Sequence, residues 1–169
     1  CINTFIFNLS VFSGEYPKQA GRKERIVSLG PWITESIYMM GAEDRLVADT
    51  IYCNKPPDAG KKEKIGTVID INVEKILYLK PDLVIATPLT NKKQIKTLKK
   101  MGINVASMSL QKNFSQICVD FVRLGELIGK KKEAIAIVEK ARREVDDISA
   151  RLRSHKGTRC PAGASSGPC

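Results

Sequence analysis

Only one histidine, His155, occurs in the 169 residues, and it lies in a stretch without apolar periodicity. A Ser-His or Cys-His nucleophile pair therefore has no base in the body of the chain. The five cysteines, Cys1, Cys53, Cys118, Cys160 and Cys169, form no C-x-x-C pair. With a single histidine beside them, a structural zinc site is not expected, and their odd number argues against a disulfide framework. Aromatic residues make up 6% of the chain. Glycine-rich phosphate turns are missing too. The segment Ser28 to Trp32 (SLGPW) has one glycine where a dinucleotide or nucleotide turn needs several. Acidic residues are isolated from one another, so nothing pairs them for acid/base work. These absences exclude most enzyme classes, and no catalytic residue, resident metal or cofactor is expected.

What is present is a soluble, strongly basic chain with 43% hydrophobic residues, 27% charged residues and a net charge of +10. Its lysines fall in clusters on helical stretches: Lys92, Lys93, Lys96, Lys99 and Lys100, then Lys130, Lys131 and Lys132. Few aromatics interleave with them and no nucleic-acid-binding motif accompanies them. They read as a solvated exterior or an anion-attracting surface, and no nucleic-acid partner is expected.

The N-terminus opens with a short apolar run, Ile2 to Phe12 (INTFIFNLSVF), followed by Ser13 and Gly14. The run is too short to span a bilayer. Residues 1–21 fit a signal-peptide remnant, with Val11 and Ser13 where the peptidase prefers small residues. Cys1 as the lipidated start of a lipoprotein and an ordinary N-terminal strand are the other readings. The first two imply an exported protein, periplasmic or held at the outer face of the cytoplasmic membrane.

From Arg25 the pattern is regular. Strands are expected at Arg25 to Leu29 (RIVSL), Leu46 to Asp49, Leu83 to Ala86 (LVIA) and Asn104 to Ser107. Helices are expected from Thr34, as an N-cap, to Gly41, over Asn72 to Leu79, over Asn91 to Met101, and over Phe114 to Ile128. Continuous apolar strands alternating with helices predict an α/β fold: a Rossmann-like parallel sheet with both faces covered. In such sheets ligands bind beyond the carboxyl ends of the strands. A last helix, from about Lys131 to Arg153, carries Ala134, Val138, Ala141, Val145, Ile148 and Leu152 as one narrow stripe. It would be about 34 Å long at 1.5 Å per residue. A strut leaning on the lobe fits that stripe better than a coiled coil of three heptads. The chain thus divides into an extension at 1–21, a lobe at 22–129, a long helix at 130–153 and a Gly/Pro/Ser-rich tail at 154–169 read as disordered or non-native.

The expected strand ends carry Trp32, Thr34, Tyr52, Asn54, Thr67, Thr87, Thr90 and Asn91. Flat aromatic faces beside neutral hydrogen-bonding groups suit a bulky, partly apolar ligand. By composition alone, Trp32 and Tyr52 serve equally well to close loops over the core. A cytosolic nucleotide-binding enzyme domain and a basic interaction module also stay open at this level.

The order and spacing of four segments add a resemblance. They are Arg25 to Glu35 (RIVSLGPWITE), Tyr52 with Pro56 and Pro57, Asn72 to Leu77 (NVEKIL), and Leu79 to Ile85 (LKPDLVI). Together they resemble the N-terminal lobe of ABC-importer substrate-binding proteins for ferric siderophores, haem and cobalamin, over residues 22 to 153. The resemblance implies that a metal-chelate ligand lies against Pro31, Trp32, Thr34, Tyr52, Thr67, Val68, Thr87, Pro88 and Thr90. Tyr52 falls where cobalamin binders present a tyrosine, whereas Val68 and Thr87 fall where they present tryptophans. Glu74 matches the exposed glutamate by which the family docks onto arginines of a membrane permease. It also implies a second lobe beyond the long helix, where the pattern of this chain is lost.

Overall fold

The computed structural model describes residues 24–155. The expectations for the N-terminal apolar run, for the tail beyond His155 and for Cys1, Cys160 and Cys169 lie outside the described residues. Five short strands form one sheet: β1 (Ile26–Ser28), β2 (Leu46–Asp49), β3 (Glu63–Lys64), β4 (Leu83–Ala86) and β5 (Val105–Ser107). Their order is β3-β2-β1-β4-β5, and every neighbouring pair is parallel. Five helices connect or follow them: α1 (Pro31–Met39), α2 (Val73–Leu79), α3 (Lys92–Lys100), α4 (Phe114–Leu127) and α5 (Lys131–His155).

The alternation along each strand divides the core in two. Ile26, Leu83 and Ile85 point to the side covered by α1, α4 and the start of α5, where Ile33, Ile37, Phe121, Leu124 and Ala134 meet them. Val27, Val84 and Ala86 point to the other side, under Ile76 of α2 and Leu98 of α3. Both faces are covered, which is why LVIA reads as an unbroken apolar run rather than an alternating one.

One expectation is corrected. Thr34 does not cap α1. The helix begins at Pro31 with Gly30 as its cap residue, because the fixed φ of proline is pre-organised for a first helical position. Thr34 is instead buried inside the helix. β3 was not anticipated: it is a two-residue polar strand, and it follows a 3-10 turn over Pro57–Lys61.

The long helix is present over 25 residues, about 37 Å. Its stripe is packed only at the start. Ala134 is buried and Val138 packs on the core, but Val145, Ile148 and Leu152 are 41%, 55% and 62% exposed. The second half of α5 therefore runs out beyond the lobe.

Candidate functional site at the carboxyl edge of the sheet

Because all five strands are parallel, the loops that follow them gather on one edge. The chain leaves β1 toward β2, while β4 lies on the opposite side of β1. The crevice between these two loops is a topological switch point, where ligands of open α/β sheets sit. The Thr87 side chain packs closely on the β1 loop there: a Cβ added to Gly30 would lie 2.5 Å from Thr87 Cγ2. A side chain at position 30 would require the Thr87 side chain to shift.

A buried polar cluster ties the loops together beneath this edge. The Thr34 hydroxyl lies 2.9 Å from Ser28 Oγ and 3.3 Å from Cys53 Sγ, and Thr50 Oγ1 lies 3.2 Å from the same sulfur. Ser28 Oγ in turn donates to the carbonyl of Gly30 at 3.0 Å. All of these side chains are fully buried. Next to them Lys64, at the end of β3, donates to Asp49 Oδ1 at 2.7 Å and to the carbonyls of Cys53 and Ala59 at 2.9 and 3.0 Å. One ammonium thus holds β2, β3 and the whole 50–61 loop. Burial raises the Asp49 carboxyl above its ordinary value, and the hydrogen bond from Lys64 pulls it back down.

The predicted site residues do not all face the same way. Tyr52 is 56% exposed at the end of the β2 loop. Thr67 and Val68 are half-buried in a tight turn, where the Thr67 hydroxyl accepts from Asp70 N–H at 2.9 Å. Pro31 is half-buried at the start of α1, and Pro88 is exposed at the tip of the β4 loop. Thr87 and Thr90 are turned inward and bond each other, with their hydroxyl oxygens 3.2 Å apart. Thr34 is turned inward as described above. These three threonines shape the loops rather than present free hydroxyls. Trp32 packs against the α1 side of the core, at a mostly apolar groove of about 510 Å³ that also touches Met39, Phe114, Ile117 and Val138.

Sequence reasoning missed four residues on this edge. Ile51, Ile69, Leu89 and Leu110 are 45%, 65%, 67% and 62% exposed, on the loops after β2, β3, β4 and β5. With Tyr52 they are exposed apolar side chains on loops that the parallel topology brings to one edge of the sheet. No periodicity distinguishes them; only their gathering on one edge does.

Glu74 is exposed in the first turn of α2, whose N-terminus follows the β3 loop and so belongs to the same edge. The Asn72 side chain caps that helix by accepting from Lys75 N–H at 2.8 Å. Among the described residues Glu74 takes part in no ion pair, and Tyr78 stands at i+4. A polar hollow of about 520 Å³ beside Tyr38, Asp58 and Lys61 contains none of the predicted site residues. Among the described residues no group of three or more His, Cys, Asp or Glu is placed to hold a metal ion, and no helix is long and apolar enough to cross a membrane.

Comparison with known proteins agrees with this architecture. Residues 26–166 match the family model described as periplasmic binding protein. An uncharacterised ABC-transporter substrate-binding lipoprotein of Bacillus subtilis is 34% identical over 134 residues, covering 78% of this chain and 42% of the relative. A vitamin B12-binding protein of Vibrio cholerae is 32% identical over 137 residues, covering 80% of this chain and 49% of the relative. Among solved structures, the periplasmic vitamin B12-binding protein of Vibrio cholerae superimposes with a TM-score of 0.68 at 32% identity, covering 78% of this chain and 51% of that one. A periplasmic haem-binding protein of Pseudomonas aeruginosa gives 0.70 at 25% identity, covering 78% and 49%. The chain spans about half the length of the curated relatives it matches. With its family model matched over residues 26–166, the chain belongs to the periplasmic binding protein family.

Proposed function

We propose that this chain is the N-terminal half of an exported solute-binding component of an ABC importer, and that it captures an iron complex (siderophore or haem), cobalamin or a related metal chelate. Residues 22–129 are the ligand-bearing lobe, and 130–153 the helix that spans to a second one. The observation that carries this reading is the set of exposed apolar side chains, Ile51, Tyr52, Ile69, Leu89 and Leu110, on the loops that the parallel topology gathers along the carboxyl edge. A large, flat, partly apolar ligand gains by covering such an edge, whereas a small polar solute would leave it wet.

The mechanism is passive. The ligand rests on the carboxyl edge against Pro31, Tyr52, Val68 and Pro88, while Trp32 packs at the groove beside α4 and Thr34, Thr67, Thr87 and Thr90 hold the loops in shape. Glu74 then offers a carboxylate to a cationic side chain of the membrane permease, and such a pair gives register as well as electrostatic steering. Because its N-terminal helix position is already capped by Asn72, Glu74 is free of the usual capping duty. Glu74→Arg in the full-length importer protein is expected to cut ligand uptake at least tenfold, the effect of losing about 1.4 kcal/mol at the docking step. Equilibrium ligand binding to the same variant should be unchanged. Uptake equal to the unsubstituted protein would remove the docking role.

A further inference from the structure

Helix α3 presents a second surface, on the flank of the lobe rather than on the ligand edge. Its lysines 92, 93, 96, 99 and 100 are all exposed. At 100° per residue they fall within an arc of roughly 120°. Ile95 and Leu98 face the other way and anchor the helix to the core, and Asn91 caps its start by accepting from Lys93 N–H at 2.9 Å. The helix carries no acidic residue. Among the described residues none of the five lysines takes part in an ion pair. The nearest carboxylate placed by the hydrogen bonds of α3 is Asp70, which accepts from Gln94 Nε2 at 2.8 Å, outside the arc. The result is a rigid row of unneutralised cations on a firmly packed helix, with Met101 57% exposed at its end.

We infer that this face docks on an anionic phospholipid bilayer. Charge complementarity argues for it, and the chemistry of the row selects among anions. It holds no arginine, whose planar fork suits bidentate recognition of a defined phosphate or carboxylate. It holds no aromatic side chain on which a nucleic-acid base would stack. Lysines alone are strongly hydrated point charges, suited to the diffuse negative potential of a headgroup layer. Helix α3 leads from the β4 loop back to the start of β5, so the row runs along the flank and away from the carboxyl edge. A bilayer against it leaves that edge uncovered.

The test is co-sedimentation of the full chain with vesicles of phosphatidylglycerol mixed with phosphatidylcholine, against vesicles of phosphatidylcholine alone. Binding to the anionic vesicles is expected to be at least tenfold tighter and to vanish near ~0.5 M salt, where screening acts within a few ångströms. Lys92→Gln/Lys96→Gln/Lys99→Gln/Lys100→Gln should lose at least tenfold in affinity. A control with equal charge loss elsewhere, Lys132→Gln/Lys140→Gln/Arg142→Gln/Arg143→Gln, should lose less than twofold. Equal losses in the two variants would reduce the effect to net charge and overturn the inference. Salt-resistant binding to phosphatidylcholine alone would assign it to an apolar segment, and retention on DNA as tight as on the anionic vesicles would make it a generic polyanion effect. Either result also overturns it.

Discussion

Gly125→Val is expected to destabilise the lobe by about 3 kcal/mol, the upper part of the range for overpacking a filled site. For a chain of this size that corresponds to a fall in Tm of roughly 10 °C. Gly125 is buried in α4 where α5 folds back across it. A Cβ there would lie 2.5 Å from the Ala134 Cβ and 2.9 Å from the carbonyl oxygen of Lys130. Neither neighbour is the far end of a flexible side chain. Lys130 N–H also donates to the Gly125 carbonyl at 2.6 Å, which fixes the corner. Gly125→Ala gains helix propensity of about 1 kcal/mol against the same clash, and should fall between the two. Thermal unfolding followed by circular dichroism checks both, and a valine variant melting within about 2 °C of the unsubstituted protein would show that the helices separate freely.

The second large effect is expected at Lys64. Lys64→Met leaves Asp49 fully buried with no cation and strips the carbonyls of Cys53 and Ala59 of their donor. Removing one partner of a buried pair costs about 3–5 kcal/mol. The lower end applies, since the Lys64 side chain is 26% exposed while that of Asp49 is 0% exposed. The loss has a defined pH dependence. Burial raises the folded-state pKa of Asp49 above its ordinary 3.8, so the neutral form is favoured by folding. The stability linked to that proton is fully present below the unfolded value and is lost as pH rises through the folded one. Without Lys64 the upward pull of burial is opposed only by the charge of Lys62, the weakest of the influences on this carboxyl. The gap between variant and unsubstituted protein should therefore be widest at neutral pH and narrow toward pH ~4. Denaturant titrations at several pH values measure this gap; a gap that stays constant with pH would show that Asp49 is not the group left stranded.

Neither substituted residue is itself a proposed ligand contact, yet both bear on the site. The 50–61 loop that Lys64 clamps carries Tyr52 and Ile51, and the α4–α5 corner fixes where the long helix leaves the lobe. The carboxyl edge is thus held by a buried polar scaffold below and by helix packing at the side.

Much of this was readable from the residues. The runs RIVSL and LVIA, each followed by a helical stretch, are strands of a sheet buried on both faces, and each falls where expected. β3 was not readable. Glu63–Lys64 is polar, two residues long and at the sheet edge, so it owes its pairing to Asp49 and Ala48 rather than to any hydrophobic pattern of its own. The threonines of the site show a different limit. Thr87 and Thr90 lie on the loop after β4 as expected, whereas Thr34 lies inside α1; sequence does not show which way a hydroxyl turns, and all three turn inward. The opposite holds for Ile51, Ile69, Leu89 and Leu110. Each is an ordinary apolar residue in a short loop, and only the parallel topology brings the four to one edge. The narrow stripe of α5 correctly signals one-sided packing, but it carries no information on how much of its length the lobe itself covers.

The most direct test of the account is an amide chemical-shift map of this chain titrated with a cobalamin, a haem, a ferric hydroxamate and a ferric catecholate. The lobe should bind weakly, with shifts or broadening confined to residues 30–34, 50–54, 66–70, 87–91 and 108–111 for at least one of the four. Perturbations centred on the α1–α4–α5 groove or on α3 instead, or none at all up to the solubility limit of every ligand, would contradict the assignment of the carboxyl edge as the binding site.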